Sequence, residues 1–238
     1  MKTVGIVGYG QFGRFMAAHL SKYAQVRAFD VAGKEGVLLV SLTDVASSDL
    51  LIFAVPVQNL EEACEQVVPH VSPGALIVDV SSVKMRPLAI LKAYFPDHEI
   101  LGTHPIFGPQ SGKDGIEGLP LVVANVSWTS EHYNQILRFL SGTLGLHVIE
   151  RTPEEHDREM ARVQGLTHFI GKALVRLDIQ EYETGTMSYN QLIKLRELLK
   201  DDSWELFKTI ENENPYAQEV REGFLTTLAI LEKELKDM

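Results

Sequence analysis

Hydrophobic and polar positions alternate in blocks along the first 150 residues. Short, mostly apolar runs predict buried strands, because parallel strands that are covered on both faces have few polar positions. Segments with helical periodicity, such as 12–23 and 60–68, separate these runs. The pattern predicts a Rossmann-type α/β domain over residues 1–150, a doubly wound, mostly parallel sheet. Its predicted strands are 4–7, 26–30, 50–55, 75–80, 100–101, 119–124 and 147–150.

The pattern changes after residue 150, where only amphipathic helical periodicity remains. Thr152, Pro153 and Glu155 predict a helix start with a capping box. We expect a smaller, all-helical domain over residues 151–238 that packs on the first domain, on a second copy, or on both. The last predicted helix carries an apolar stripe of Val220, Phe224, Leu228, Leu231 and Leu235.

Composition narrows the classes of partner. The formal net charge is −10 with no long basic run, which disfavours nucleic acid and anionic membranes as partners. The single cysteine, Cys64, excludes an intrachain disulfide and a cysteine-cluster metal site, and we predict no metal. The apolar run 50–55 is too short to span a membrane. Because a strand begins at once, we expect no secretory signal and a cytoplasmic location.

A glycine-rich turn follows the first predicted strand. Gly8, Gly10 and Gly13 fit the G-x-G-x-x-G pattern of dinucleotide-binding loops, with a strand before and a helix after. Asp30 ends the second strand, where a carboxylate accepts hydrogen bonds from the adenosine ribose. NAD is therefore favoured over NADP, although Lys34 keeps NADP open. A flavin site or a degenerate loop with a surface aspartate are the alternatives. The predicted cofactor-binding residues are Gly8, Gly10, Gln11, Phe12, Gly13, Asp30, Val55 and Pro56.

Two polar segments follow predicted strands and face the crevice at their carboxyl ends. The segment 102–109 places His104 in a frame of glycines and prolines, which suits a rigidly held base. A purely structural turn is the alternative. The segment 79–84 contains Ser82, whose hydroxyl can hydrogen bond both His104 and a substrate oxygen. An ordinary strand-end turn explains Ser82 equally well.

The helical half carries one further histidine of interest, His168, between Gly165 and Gly171. Interior glycines weaken a helix by about 1 kcal/mol each, so something approaches this helix closely. A helix crossing explains the glycines as well as a ligand does. Acidic Glu155 and Asp157 are favoured at a helix start by the dipole alone.

Taken together, these motifs resemble the prephenate/arogenate dehydrogenase family of tyrosine biosynthesis. The segment 102–113 is most similar to the plant-type arogenate branch. The resemblance implies NAD(P)-dependent oxidative decarboxylation of prephenate or arogenate and a homodimer through the helical domain. It implies that His104 is the catalytic base and that Ser82 orients it. The substrate-binding residues that it implies are Ser82, His104, His168, Arg196 and Asp202.

Two rival functions stay open at this point. Another dehydrogenase with a Rossmann domain and a helical tail, such as a β-hydroxyacid dehydrogenase or an imine reductase, would use a lysine of the helical domain, here Lys172. A non-catalytic NAD-binding protein is the second rival. Reduction of NAD on addition of prephenate or arogenate separates these functions.

Overall fold

Seven strands form one sheet in the computed structural model, which describes residues 3–33 and 39–238. The strand order is β2-β1-β3-β4-β5-β6-β7, and neighbours pair in parallel except for β5 with β6. The predicted Rossmann-type, mostly parallel sheet is therefore confirmed. The strands are β1 (Thr3–Val7), β2 (Gln25–Phe29), β3 (Leu50–Phe53), β4 (Leu76–Asp79), β5 (Ile100–Pro105), β6 (Pro120–Asn125) and β7 (His147–Glu150).

Helices cover both faces of this sheet. On β3, Leu51 and Phe53 belong to one hydrophobic layer and Ile52 to the other, so every position of the strand is apolar. The helices that connect the strands are α1 (Gln11–Leu20), α2 (Leu42–Ala46), α3 (Leu60–Val67), α4 (Met85–Tyr94) and α5 (Ser130–Arg138). Single helical turns add Val57–Asn59, Val68–His70 and Phe139–Thr143.

The strand β5 is longer than the sequence pattern predicts. The apolar pair 100–101 predicts a two-residue strand that ends before His104, whereas β5 runs to Pro105 and includes His104. A Cβ at Gly102 would lie 2.8 Å from Leu88 Cδ1, so that leucine side chain would have to shift to admit any other residue there. Pairing with β6 places His104 opposite Val122.

The chain divides into two compact units, a sheet unit (Met1–His156) and a helical unit (Asp157–Met238). The division falls inside α6 (Pro153–Met160), six residues after the boundary predicted from sequence. The predicted capping box is present at the start of α6, where Thr152 Oγ1 accepts from the Glu155 N–H at 3.2 Å and Glu155 Oε2 accepts from the Thr152 N–H at 2.9 Å.

The helical unit contains only helices, as the pattern predicts. A π-helical segment, Ala161–Leu166, leads into α7 (Thr167–Arg176), and the later helices are α8 (Met187–Leu199), α9 (Trp204–Asn212) and α10 (Ala217–Asp237). Within the described ranges, none of the helices is long and apolar enough to cross a membrane.

A helix crossing explains one of the two interior glycines near His168, Gly171, whereas a side chain on Gly165 would make only ordinary contacts. A Cβ on Gly171 would lie 2.3 Å from Leu199 Cδ1, and one on Gly165 would lie 3.8 Å from Ala217 Cβ. Packing of α7 against α8 therefore accounts for Gly171 without a ligand. On α10 the end of the predicted stripe, Leu231 and Leu235, is at least half exposed in the single chain.

Candidate active site

The glycine-rich loop joins β1 to α1 at the carboxyl edge of the sheet. Gly8 has φ +102°, a conformation that L side chains rarely adopt, and a Cβ on Gly13 would lie 2.1 Å from the Gly8 carbonyl oxygen. At Gly10, by contrast, a Cβ would meet nothing within 4 Å. The backbone of Gly10 is thus open on the side where a Cβ would stand.

The start of α1 is suited to an anion. Its N-cap residue, Gly10, provides no side-chain hydrogen bond, and the first turn carries no acidic residue. Backbone N–H groups at such a terminus attract a phosphate, and the helix dipole adds to that attraction.

A pocket of about 350 Å³ lies beside this loop. Its lining includes Gly8 and Gly10 from the loop, Asp30 from the end of β2, and Val55 and Pro56 after β3. All five are predicted from the sequence to bind the cofactor, and the fold brings them to one cavity. Gln11 and Phe12 follow in the first turn of α1.

Asp30 also has a structural role that the sequence did not reveal. Its Oδ2 accepts from the Tyr9 N–H at 2.8 Å, and its Oδ1 accepts from the Ala32 N–H at 2.9 Å. The carboxylate thus ties the glycine-rich loop to the end of β2. A carboxylate oxygen has more than one lone pair, so these contacts are compatible with a further hydrogen bond from a ribose hydroxyl. Lys34, because of which the use of NADP stays possible, lies outside the described residues.

His104 is buried near the end of β5, with 4% of its surface exposed. Its Nδ1 lies 2.9 Å from Nε2 of His156, which is 1% exposed. Burial, followed by the charges of His156 and Lys84, lowers the pKa of His104 well below its ordinary value of 6.5. The imidazole is therefore neutral at physiological pH, as a proton acceptor must be.

Ser82 has no such contact with the base. It lies half-buried in the loop after β4, and in the part of the chain that the structure describes no hydrogen bond joins it to His104. The partner of His104 Nδ1 is His156, a residue for which the sequence predicts no role. A role for Ser82 towards the substrate stays a prediction.

A fully buried ion pair supports this edge of the sheet. Lys84 Nζ contacts Asp79 Oδ2, and both side chains are 0% exposed. The other carboxylate oxygen of Asp79 accepts from the Ser81 N–H at 3.0 Å, and the backbone oxygen of Asp79 accepts from Thr103 Oγ1 at 2.8 Å. These bonds link the end of β4 to the residue before His104.

The loop after β5 packs on α1, the helix that follows the glycine-rich loop. A Cβ on Gly112 would lie 2.6 Å from Phe15 Cζ, and the rings of Phe15 and Phe107 are 6.2 Å apart in an edge-on arrangement. Phe15 lies on α1, so the segment that follows His104 is packed directly against the helix that begins at the glycine-rich loop.

Cys64 has no place in this chemistry. It is fully buried on α3, and burial, with the nearby Glu61 and Glu65 carboxylates, raises its pKa to about 12. The thiol therefore stays protonated, as suits a structural residue of the hydrophobic core.

In the helical unit, two predicted substrate residues lie side by side. His168 Nδ1 is 3.3 Å from Asp202 Oδ2. Burial and then Lys172 lower the pKa of His168 to about 4, and burial raises the pKa of Asp202. A neutral imidazole makes no ion pair, so we interpret the contact as a neutral imidazole beside a carboxylate.

Two further cationic residues of the helical unit bind backbone carbonyls. Lys172 Nζ donates to the Leu199 and Asp202 oxygens, an arrangement that holds the end of α8. Arg196 donates to the Ile179 carbonyl, and its guanidinium lies 3.3 Å from Glu197 Oε1. A contact of Arg196 with a substrate carboxylate stays a prediction, which its remaining N–H donors allow.

Family models match most of the chain. The model described as "Prephenate dehydrogenase, nucleotide-binding domain" matches residues 27–143, and the one described as "Prephenate dehydrogenase, dimerization domain" matches residues 152–238. Together they cover most of the sheet unit and the whole helical unit.

Individual relatives are arogenate and prephenate dehydrogenases. The chain is 31% identical to arogenate dehydrogenase 1 of Arabidopsis thaliana over 98% of its length, and 28% identical to arogenate dehydrogenase 2 of the same plant, also over 98%. It spans 39% of the first relative and 69% of the second. The fold is similar to that of prephenate dehydrogenase from A. aeolicus, solved with hydroxyphenyl propionate and NAD+, at a TM-score of 0.75 and 20% identity, with 99% of this chain and 91% of that chain covered.

Proposed function

Because this chain belongs to the prephenate dehydrogenase family, as both of its domain models show, we propose that it oxidatively decarboxylates prephenate or arogenate with a nicotinamide dinucleotide, in tyrosine biosynthesis. The observation that carries the proposal is a buried, neutral histidine, His104, in the same unit as a dinucleotide loop. The combination supplies a proton acceptor and a hydride acceptor for one carbinol carbon.

The residues present fit the dinucleotide. The bare backbone at Gly10, the uncapped start of α1 and the cavity bordered by Asp30 match a pyrophosphate followed by an adenosine ribose. When bound, NAD supplies the hydride acceptor. The loop orients it, and the Asp30 carboxylate accepts hydrogen bonds from the ribose.

The reaction then requires the protein mainly to position the substrate and to keep His104 unprotonated. The hydroxyl O–H of a cyclohexadienol substrate breaks, and its proton passes to His104. The hydride leaves the same carbon for the nicotinamide. The carboxylate on the opposite ring carbon departs as carbon dioxide, its bonding electrons complete the aromatic ring, and the ring oxygen takes a proton back from His104 to give the phenol. His168 and Asp202 are proposed to bind the substrate side chain, where a carboxylate such as Asp202 would pair with the ammonium of arogenate, which prephenate lacks.

The pH dependence follows from the environment of His104. Its neutral form is the active one, and its pKa is lowered well below 6.5 by burial and by His156 and Lys84. We expect kcat/KM to stay constant as the pH falls through 6.5 and to decline only at lower pH, where the imidazole gains a proton. A profile that is half-maximal at or above pH 6.5 would contradict a buried, neutral base.

Replacing Asp30 by serine is expected to shift cofactor preference. Removing the carboxylate relieves a repulsion of at least about 1 kcal/mol toward a 2′-phosphate, so the ratio of kcat/KM with NADP to that with NAD should rise several-fold. Asp30→Asn removes the charge but keeps one acceptor for the Tyr9 or Ala32 N–H. This variant separates the effect of the lost charge from the effect of a loosened glycine-rich loop. Asp97→Ser, an exposed change of equal charge, is the matched control and should leave the ratio unchanged. Wild-type preference for NADP would contradict this assignment.

The experiment that tests the function measures kcat/KM for prephenate and arogenate, each with NAD and with NADP. Activity with either substrate supports the proposal. Turnover confined to β-hydroxyacids or imines would favour the rival dehydrogenases. Binding of NAD without any turnover would favour a non-catalytic protein.

We also propose a homodimer through the helical unit. The matching model for residues 152–238 is described as a dimerization domain, and the apolar stripe on α10 ends in exposed Leu228, Leu231 and Leu235. A stripe of this kind is normally covered by a partner. Sedimentation equilibrium of the wild type beside Leu231→Glu tests the assignment, and a monomeric wild type would overturn it.

A further inference from the structure

Two imidazoles meet inside the sheet unit. The contact between His104 Nδ1 and His156 Nε2 is 2.9 Å long and joins residues 52 positions apart in the chain. The ring centroids lie 5.1 Å apart and the planes are inclined by 72°. Both side chains are almost completely buried, so the fold builds this contact away from water.

A hydrogen bond between two imidazoles has two possible directions with different consequences. If His104 donates from Nδ1, its Nε2 keeps a lone pair and can take a proton. If His156 donates from Nε2, a neutral His104 carries its proton on its own Nε2 and has no lone pair left for the substrate. Only the first arrangement leaves His104 able to act as a base.

His156 is the neighbour that can enforce the first arrangement. The charges that influence His104 come from His156 and Lys84. Lys84 has only donors and is paired with Asp79, so it cannot accept an N–H. No hydrogen bond in the described part of the chain joins Ser82 to His104. The nitrogen within hydrogen-bonding distance of His104 Nδ1 is Nε2 of His156, so His156 is the residue that can accept this N–H.

We propose, on the basis of the dehydrogenase function above, that His156 is the positioning residue of the base. Its Nε2 accepts the Nδ1–H of His104 and fixes the tautomer in which Nε2 of His104 takes the hydroxyl proton of the substrate. The substrate O–H breaks, the Nε2–H bond forms, and the hydride goes to the nicotinamide of NAD+. His104 then carries two N–H groups, and its bond to His156 becomes charge-assisted. The contact is thus stronger once the proton has moved, which favours the transition state over the bound substrate.

Two variants test this role through kcat. His156→Leu removes the acceptor at similar volume, and kcat should fall about 100-fold or more, because the wrong tautomer costs roughly 10⁴ in a comparable histidine base. His156→Gln keeps an acceptor oxygen within reach and should recover at least about tenfold of that loss, as a hydrogen bond that only positions the ring requires. KM and the dissociation constant for NAD should change little in both variants. His147→Leu, an exposed histidine on β7, is the matched control and should leave kcat unchanged.

A direct observation does not depend on whether a His156 variant folds. In wild-type protein labelled with ¹⁵N-histidine, the imidazole nitrogen shifts of His104 should report a proton on Nδ1 and none on Nε2. The His104 signals are assigned from their loss in His104→Asn. A proton on Nε2, a His156→Leu variant with wild-type kcat, or a His156→Gln variant no better than a folded leucine variant would each overturn the proposal. A wild type that turns over neither prephenate nor arogenate defeats the proposed function instead, and the tautomer is then still read from the spectrum.

Discussion

Replacing His104 by asparagine is expected to lower kcat by about 10²- to 10⁴-fold, the range for loss of a general base. Asparagine cannot accept a proton near neutral pH, while the glycine-rich loop and Asp30 are untouched. The dissociation constant for NAD should therefore stay within about twofold of wild type, a difference of less than 0.5 kcal/mol. Steady-state rates and a direct titration with NAD measure the two quantities.

A matched change elsewhere separates the base from general effects of losing a histidine. His70 is exposed at the end of a helical turn, so His70→Asn should leave kcat and NAD binding unchanged. Near wild-type kcat in His104→Asn would rule out His104 as the base. A parallel loss of NAD binding would instead point to a structural role for this residue.

Replacing Lys84 by methionine is expected to destabilise the sheet unit by about 3–5 kcal/mol. The change leaves the Asp79 carboxylate, which is 0% exposed, without its counter-charge. A buried, uncompensated charge is costly because water no longer solvates it. Urea unfolding, read as the free energy of unfolding, measures the loss.

The double variant Asp79→Asn/Lys84→Met removes both charges and should be more stable than Lys84→Met alone, since replacing a buried pair by neutral groups is often close to neutral. Lys92→Met, at an exposed position of α4, is the control and should stay within about 0.5 kcal/mol of wild type. A Lys84→Met variant as stable as the control would show that the pair contributes nothing to stability.

The architecture could be predicted because its signal is local. Runs such as 50–55 are apolar at every position, since side chains on β3 pack into layers on both faces of the sheet. The capping box at Thr152 and Glu155 is likewise a short-range pattern, and it has one physical explanation, the start of a helix.

The extent of β5 could not be predicted for the opposite reason. Residues 102–105 include glycine and proline, which have low strand propensity, and hydrogen bonding to β6 overrides that preference. The sequence around Gly102 suggests a turn. In the structure, the missing side chain at Gly102 leaves room for Leu88. That contact joins residues whose proximity the sequence does not show.

The residues that surround the base could not be predicted from the sequence. His156 stands between two acidic residues at a helix start, where the helix dipole already explains the composition, and nothing local marks it as a partner of His104. Lys84 is a residue type that is almost never fully buried, so its burial beside Asp79 is also invisible in sequence. The candidates themselves, His104 and the glycine-rich loop, were found because glycines and prolines mark unusual backbone.

The most direct measurement is the stoichiometry of the reaction. Wild-type protein is supplied with NAD and either prephenate or arogenate, and NADH, carbon dioxide and the aromatic product are followed together. We predict equal amounts of all three with at least one substrate, and equally slowed formation of all three in His104→Asn. NADH formed without carbon dioxide, or no NADH with either substrate and either dinucleotide, would contradict it.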